Sequence, residues 1–148
     1  MLGAVPQLQA GGFNVNAAVS RNGEGVADVV GQMRAAGQIG DVVVIQAGTN
    51  GPVALETYQR IMSFLPPEDV PQVLFLTVSA PRGYIADNNA IIRSLELSYT
   101  NVHIADWEAT APTLPLCGDD VHVSCGGGAA QAYANLIFTA LGRTDLVR

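Results

Sequence analysis

The stretch DVVVIQAGTNG (residues 41–51) decides the fold of this chain. Its four apolar residues Val42 to Ile45 are all β-branched, and an uninterrupted run of this kind is typical of a strand that is buried on both faces. Gly48-Thr49-Asn50-Gly51 follows at once, and glycines on both sides of an asparagine indicate a tight loop at the carboxyl end of that strand. A strand covered on both faces predicts a parallel sheet between two layers of helices.

The pattern outside this stretch alternates between helix and strand. Besides residues 42–45, strands are predicted over three ranges: 13–17 (with extension to 19), 73–78 and 102–105. Helices are predicted over five ranges: 1–10, 26–36, 55–65, 89–97 and 129–141. Residues 107–118 are predicted to form a long loop. In such a sheet, functional side chains lie in loops at the carboxyl ends of the strands.

Composition narrows the function classes. A chain of 148 residues that is 49% hydrophobic fits one globular domain with a core. The net charge is −6 and no basic cluster exists, so a nucleic-acid partner is not expected. No apolar run reaches the roughly 18 residues of a membrane span. Residues 1–10 lack the features of a signal peptide, so any export signal is expected upstream.

Asp119-Asp120-Val121-His122 carries candidate acid–base chemistry. An aspartate three residues before a histidine can hold the imidazole tautomer, and the histidine can then remove a proton from a serine hydroxyl. Asp119 is the preferred partner of His122, and Asp120 is the rival. Taken alone, the motif more often forms a turn capped by aspartate with a surface histidine.

Asn50 is a candidate oxyanion donor, because a side-chain amide in a glycine-flanked loop can stabilise negative charge that develops on an acyl oxygen. The alternative is an ordinary Asn-Gly turn. Cys117 and Cys125 bracket the Asp-His loop. Their spacing is not that of a zinc site, so no metal is expected, and both a disulfide and two free thiols remain open.

Taken together, these motifs resemble the SGNH/GDSL hydrolases, and most of all the branch fused to, or acting beside, membrane acyltransferases that O-acetylate cell-wall polysaccharide. The resemblance runs over nearly the whole chain in family order. It is carried by residues 18–21, 43–51, 80–82 with Tyr84 and Asn89, 104–107, and 119–122 followed by Gly128.

The resemblance implies one flavodoxin-like α/β domain of the SGNH type over residues 1–148, with three α/β/α layers, a parallel sheet and no cofactor. It implies that Asp119 and His122 are catalytic and that Asn50 and Gly48 belong to the oxyanion site. The backbone amide of Ser20 matches the second oxyanion donor only approximately. Three residues that border the expected cleft are candidate substrate contacts or else belong to solvated loops: Arg21, Arg82 and Tyr84.

The chain departs from the family at its start. The family's Gly-Asp-Ser block, which supplies the nucleophile at the end of the first strand, has no match, and none of the six serines stands in such a context. Met1-Leu2-Gly3-Ala4 resembles the residues just after that block. We expect an N-terminal truncation rather than true loss, because deleting a central strand breaks two hydrogen-bond ladders and exposes apolar faces.

The expected function of the full-length protein is that of a serine esterase or O-acetyltransferase acting on acyl esters of cell-wall or surface carbohydrate. It would be extracytoplasmic, secreted or tethered to the membrane, with a possible membrane acyltransferase domain upstream. The chain as written is expected to be inactive. The alternative is a non-catalytic carbohydrate-binding module. A flavodoxin-like nucleotide or signalling domain is disfavoured, because no phosphate loop is visible.

Overall fold

The computed structural model describes residues 1–147. Within them, three strands form a parallel sheet. The strands are β1 (Val42–Ile45), β2 (Gln72–Leu76) and β3 (Val102–Ala105), in the spatial order β1-β2-β3. Ile45 pairs with Phe75, and Phe75 with Ile104, so the three strands end at one edge of the sheet. The prediction of a parallel α/β sheet is confirmed.

Six α-helices surround the sheet within the described residues. They are α1 (Val5–Ala10), α2 (Gly23–Ala35), α3 (Leu55–Ser63), α4 (Ile85–Ser98), α5 (Trp107–Thr110) and α6 (Ala129–Ala140). Single 3₁₀ turns lie at Leu2–Ala4, Ala111–Thr113 and Thr144–Leu146. No helix within residues 1–147 is both long and apolar enough to cross a membrane.

Two hydrophobic cores lie on opposite faces of the sheet. Helices α2, α3 and α4 cover one face, where Tyr58 meets Phe75 edge to face, with ring centroids 5.8 Å apart. Helices α1, α5 and α6 cover the other, where Trp107 packs on Tyr133. Leu74 belongs to the second core and Phe75 to the first, as alternation along a strand requires. The sheet therefore lies between two layers of helices, which gives three layers in all.

The prediction of a strand over residues 13–17 is wrong. Residues 13–18 form no strand, although Phe13 and Val15 pack against the second core as the alternating pattern predicts. Within the described chain no backbone–backbone hydrogen bond joins residues 14–19 to a neighbour. The apolar pattern therefore sets which side chains are buried, but a strand also needs a paired backbone.

The long loop predicted over residues 107–118 is wrong in its first part. Residues 107–110 form α5, and a 3₁₀ turn follows. The Asp106 side chain accepts a hydrogen bond from the Ala109 amide at 3.2 Å and caps the helix, an N-terminal signal that aspartate commonly supplies. Helix α4 likewise begins at Ile85, earlier than the predicted residue 89.

Candidate active site

The Asp119 and His122 side chains are in direct contact. Asp119 Oδ2 accepts a hydrogen bond from His122 Nδ1 at 2.5 Å, while Asp119 Oδ1 accepts from the backbone amides of Val121 and His122, each at 3.1 Å. This is an aspartate turn, in which a short polar side chain bonds the backbone two and three residues on. With Nδ1 donating to the carboxylate, neutral His122 carries its free lone pair on Nε2.

These hydrogen bonds lower the pKa of Asp119 to about 2, chiefly through the imidazole bond and then through the two backbone amides. The carboxylate is therefore ionised throughout the neutral range. Both side chains are open to water, with exposed fractions of 50% for Asp119 and 63% for His122. The rival partner Asp120 has a positive φ of 56° and makes no contact with the ring among the described residues.

The loop that holds this pair is closed by covalent and backbone bonds. Cys117 and Cys125 form a disulfide, and the Cys117 amide donates to the His122 carbonyl at 2.8 Å. Gly126, Gly127 and Gly128 then all take positive φ values before α6 begins. The geometry of the contact between Asp119 and His122 is thus fixed by bonds within about ten residues of chain.

The second site segment, residues 48–53, is held by a buried side chain from α4. Asn88 donates to the carbonyls of Gly48 at 2.8 Å and Gly51 at 3.0 Å, and accepts from the Val53 amide at 2.9 Å. Gly48 has a φ of 111°, and a Cβ there would lie 2.8 Å from Asn88 Nδ2. Tyr84 adds a hydrogen bond from its hydroxyl to the Thr49 carbonyl at 3.0 Å.

Asn50 is exposed at the tip of this loop. Its amide donates to the Arg21 carbonyl at 3.2 Å, which leaves the second N–H of the amide for another acceptor. Ser20, beside Arg21, has a positive φ of 56°. The Arg21 guanidinium turns back to Asn16 and donates to its carbonyl and side-chain oxygens at 3.0 and 2.9 Å.

A cavity of about 670 Å³ brings most of these residues together. Five of the predicted site residues line it: Ser20, Arg21, Gly48, Asn50 and His122. Arg82 and Tyr84 do not line this cavity. Arg82 is exposed, and its guanidinium donates to the carbonyl of its neighbour Pro81, whereas the Tyr84 hydroxyl donates to the Thr49 carbonyl.

Within residues 1–147, no serine hydroxyl hydrogen-bonds the His122 ring. Ser20 and Ser79 line the same cavity without such a bond. Ser124, two residues from His122, lies instead against Gly3 and the Cys117 sulfur. The described residues also contain no group of three His, Cys, Asp or Glu side chains that would hold a metal ion.

Asn88 and the Gln46–Tyr133 pair were missed by sequence reasoning. Tyr133 in α6 donates to Gln46 Oε1 at 3.0 Å, just past β1. The sequence contains one indication that Asn88 is buried: it lies three residues after Ile85 and four before Ile92, which places it on an apolar helix face. A polar residue on such a face needs a buried partner.

Comparison with known proteins agrees with the fold. No family model matches the chain, and no curated protein matches it. A solved structure does match: the C-terminal catalytic domain of Streptococcus pneumoniae peptidoglycan O-acetyltransferase A, with a methylsulfonyl adduct. The TM-score is 0.82 over 97% of this chain and 88% of that one, at 24% sequence identity. This chain has the fold of that catalytic domain. The three-layer α/β fold with a parallel sheet that the sequence resemblance implies is therefore confirmed.

Proposed function

We propose that this chain is the acid–base and oxyanion portion of an SGNH-type serine esterase or O-acetyltransferase domain. The observation that carries the proposal is the 2.5 Å contact between Asp119 Oδ2 and His122 Nδ1, since it leaves Nε2 as the base. Support comes from the cavity that His122 shares with Gly48 and Asn50, and from the fold of the pneumococcal acetyltransferase domain.

The reaction proceeds in two steps through a serine that this chain does not contain. The serine oxygen bonds the acyl carbon, the ester C–O bond breaks, and the serine proton passes through His122 to the leaving oxygen. The oxygen of an acceptor hydroxyl then bonds the acyl carbon and gives its proton to His122, the bond between the acyl carbon and the serine oxygen breaks, and His122 returns the proton to the serine oxygen. Water as acceptor gives hydrolysis, and a sugar hydroxyl gives transfer. Asp119 stabilises the imidazolium in both steps.

The substrate class proposed is an acyl ester of cell-wall or surface carbohydrate, with an extracytoplasmic location and a possible upstream membrane acyltransferase domain. The Cys117–Cys125 disulfide supports the location, because such bonds persist in oxidising compartments. Arg21 lines the cavity and is the candidate contact for substrate, whereas Arg82 and Tyr84 are not on its wall.

The test compares this chain with a form extended upstream to include an in-frame Gly-Asp-Ser segment, using hydrolysis of an aryl acetate. We expect activity only in the extended form. There, His122→Ala lowers kcat by about 10²–10⁴-fold, and Asn50→Ala lowers it by about 10²–10³-fold. His103→Ala is the matched control, because His103 is exposed on β3 and does not line the cavity. Equal activity in the two forms would overturn the missing-serine argument.

A second candidate function, carbohydrate binding without catalysis, is favoured by one observation: no described serine hydroxyl bonds the His122 ring. It predicts binding of cell-wall glycan fragments by this chain that survives His122→Ala. The first proposal predicts that the extended His122→Ala form still binds but no longer turns over.

A further inference from the structure

Two asparagines of this chain are followed by glycine: Asn22 by Gly23, and Asn50 by Gly51. In such a pair the backbone nitrogen of the glycine can attack the side-chain carbonyl carbon of the asparagine, because the missing Cβ leaves the approach open. The attack requires rotation of the peptide group that joins the two residues. Hydrogen bonds to that peptide group and packing around the glycine therefore decide which pair reacts.

The Asn22-Gly23 pair is held at the start of α2. The Asn22 side-chain oxygen accepts a hydrogen bond from the Gly25 amide at 2.9 Å, and its carbonyl accepts one from the Val26 amide at 3.1 Å. Gly23 is buried, and a Cβ there would lie 2.7 Å from the Val53 side chain. Attack on the Asn22 side chain would break the N-cap and open the first turn of the helix.

The Asn50-Gly51 pair is open to solvent. Asn50 is exposed, and among the described residues its side chain makes a single hydrogen bond, from Nδ2 to the Arg21 carbonyl at 3.2 Å. Beyond the two chain neighbours of Gly51, no atom lies within 4 Å of the position that a Cβ on it would take. Its φ of 128° belongs to a region that glycine adopts readily. The glycine nitrogen therefore has room to approach the Asn50 side chain.

The peptide group between Asn50 and Gly51 is also the one that this loop leaves free. Side-chain donors hold the carbonyls of the peptide groups on both sides of it: Tyr84 bonds the Thr49 carbonyl at 3.0 Å, and Asn88 bonds the Gly51 carbonyl at 3.0 Å. Among the described residues, neither the Asn50 carbonyl nor the Gly51 amide makes a hydrogen bond. The loop therefore keeps its place while this one peptide group rotates.

We propose that Asn50 is a site of spontaneous deamidation, whereas the fold protects Asn22. The Gly51 nitrogen gives its proton to a solvent base and bonds Cγ of Asn50. The bond from Cγ to Nδ2 breaks, and the Nδ2 group takes a proton from water and leaves as ammonia. Water then opens the succinimide ring. Cleavage between the ring nitrogen and Cγ gives an aspartyl residue, and cleavage between the ring nitrogen and the main-chain carbonyl carbon gives an isoaspartyl residue.

The consequence of this reaction rests on the proposed function, but the reaction itself does not. Either product replaces the N–H groups of the candidate oxyanion donor by a carboxylate, which only accepts hydrogen bonds. Its negative charge opposes the charge that develops on an acyl oxygen. The isoaspartyl product also adds a carbon to the main chain of a loop whose carbonyls are held on both sides. Deamidation of Asn50 therefore disables the candidate oxyanion site and leaves Asp119 and His122 in place.

The test incubates the folded chain in mildly alkaline buffer and follows the mass increase that accompanies conversion of an amide to a carboxyl group. Trypsin cleaves after arginine, so Asn22 and Asn50 fall in separate peptides, residues 22–34 and 35–60. We expect conversion at least about tenfold faster in peptide 35–60, because the loss of an N-cap alone adds a barrier worth about that factor. In concentrated urea the two peptides should convert at similar rates, because the unfolded chain keeps neither the N-cap nor the packing. Equal rates in the folded chain overturn the proposal, and so does an advantage of Asn50 that persists in urea.

Asn50→Ser is the matched control, because peptide 35–60 contains glutamines but no other asparagine. The mass increase should disappear in this variant, and its persistence would assign the reaction to a glutamine and overturn the proposal.

A further arm separates the modification from the proposed function. In the upstream-extended form, hydrolysis of aryl acetate should fall in step with conversion of Asn50. Conversion without loss of activity leaves the modification site intact and contradicts the oxyanion role of Asn50. An extended form that is inactive before incubation contradicts the proposed function alone. A folded chain in which Asn50 does not convert overturns the modification site, whatever the activity.

Discussion

The substitution Gly48→Ala tests whether Asn88 holds the loop of residues 48–53 in place. A φ of 111° is rarely adopted by an L-residue, and a backbone in such a region costs about 1–3 kcal/mol. The new methyl group would also lie 2.8 Å from Asn88 Nδ2 and force that side chain to move. The buried carbonyl of Gly48 then loses its donor, which costs about 1–3 kcal/mol, whereas the partly buried carbonyl of Gly51 can be solvated. We expect a total loss of about 2–6 kcal/mol in the free energy of unfolding.

Gly51→Ala is the matched control, because Gly51 has a φ of 128° in the same loop but nothing lies within 4 Å of the position that its methyl group would take. It carries the backbone cost alone, about 1–3 kcal/mol. Urea unfolding followed by circular dichroism gives both free energies, with the m-value as a check that the transition stays two-state. If the two variants lose the same free energy to within about 0.5 kcal/mol, the contact with Asn88 does not restrain the loop, and the reasoning is refuted.

Three other perturbations test the site in the same way. Asn88→Ala should lower the free energy of unfolding by about 2–6 kcal/mol, measured in urea, because it unpairs two buried backbone groups, the Gly48 carbonyl and the Val53 amide; a loss under about 1 kcal/mol contradicts this. Replacing both Cys117 and Cys125 by serine removes the cross-link across a sequence separation of 8 and should lower the free energy of unfolding by up to about 2.5 kcal/mol. Amide exchange should increase most at His122, and unchanged exchange there would show that the loop does not need the disulfide. The lowered pKa of Asp119 predicts stability that is fully present above pH 4 and is lost as pH falls towards about 2, so the unfolding midpoints of wild type and Asp119→Asn should converge over that range and differ above it.

The elements predictable from sequence are those whose signal lies within one short segment. Residues 42–45 form a strand as predicted, and the strand predicted over 73–78 is observed at Gln72–Leu76, because a run of β-branched and aliphatic residues favours the extended backbone. Only β2 is buried along nearly its whole length, since Val42 of β1 is exposed. The contact between Asp119 and His122 was also predictable, since a separation of three residues lets one turn join the two side chains. In each case the information needed is local.

The features that sequence reasoning missed depend on distant parts of the chain. Asn88 lies 40 residues along the chain from Gly48, whose carbonyl it bonds, and the sequence around either residue does not indicate that the two are partners. Residues 13–17 have a strand pattern, yet a strand requires a neighbour, and β1 does not pair with them. Helix Trp107–Thr110 was missed for a different reason, because a helix of four residues is too short to show a periodic apolar pattern.

The two candidate parts of the site depend on different parts of the chain. Asp119 and His122 are held by a turn and a disulfide within their own loop. The loop that carries Gly48 and Asn50 is held instead by Asn88 of α4, 40 residues along the chain from Gly48. A substitution that removes the Asn88 side chain should therefore displace Gly48 and Asn50 but leave the contact between Asp119 and His122 in place.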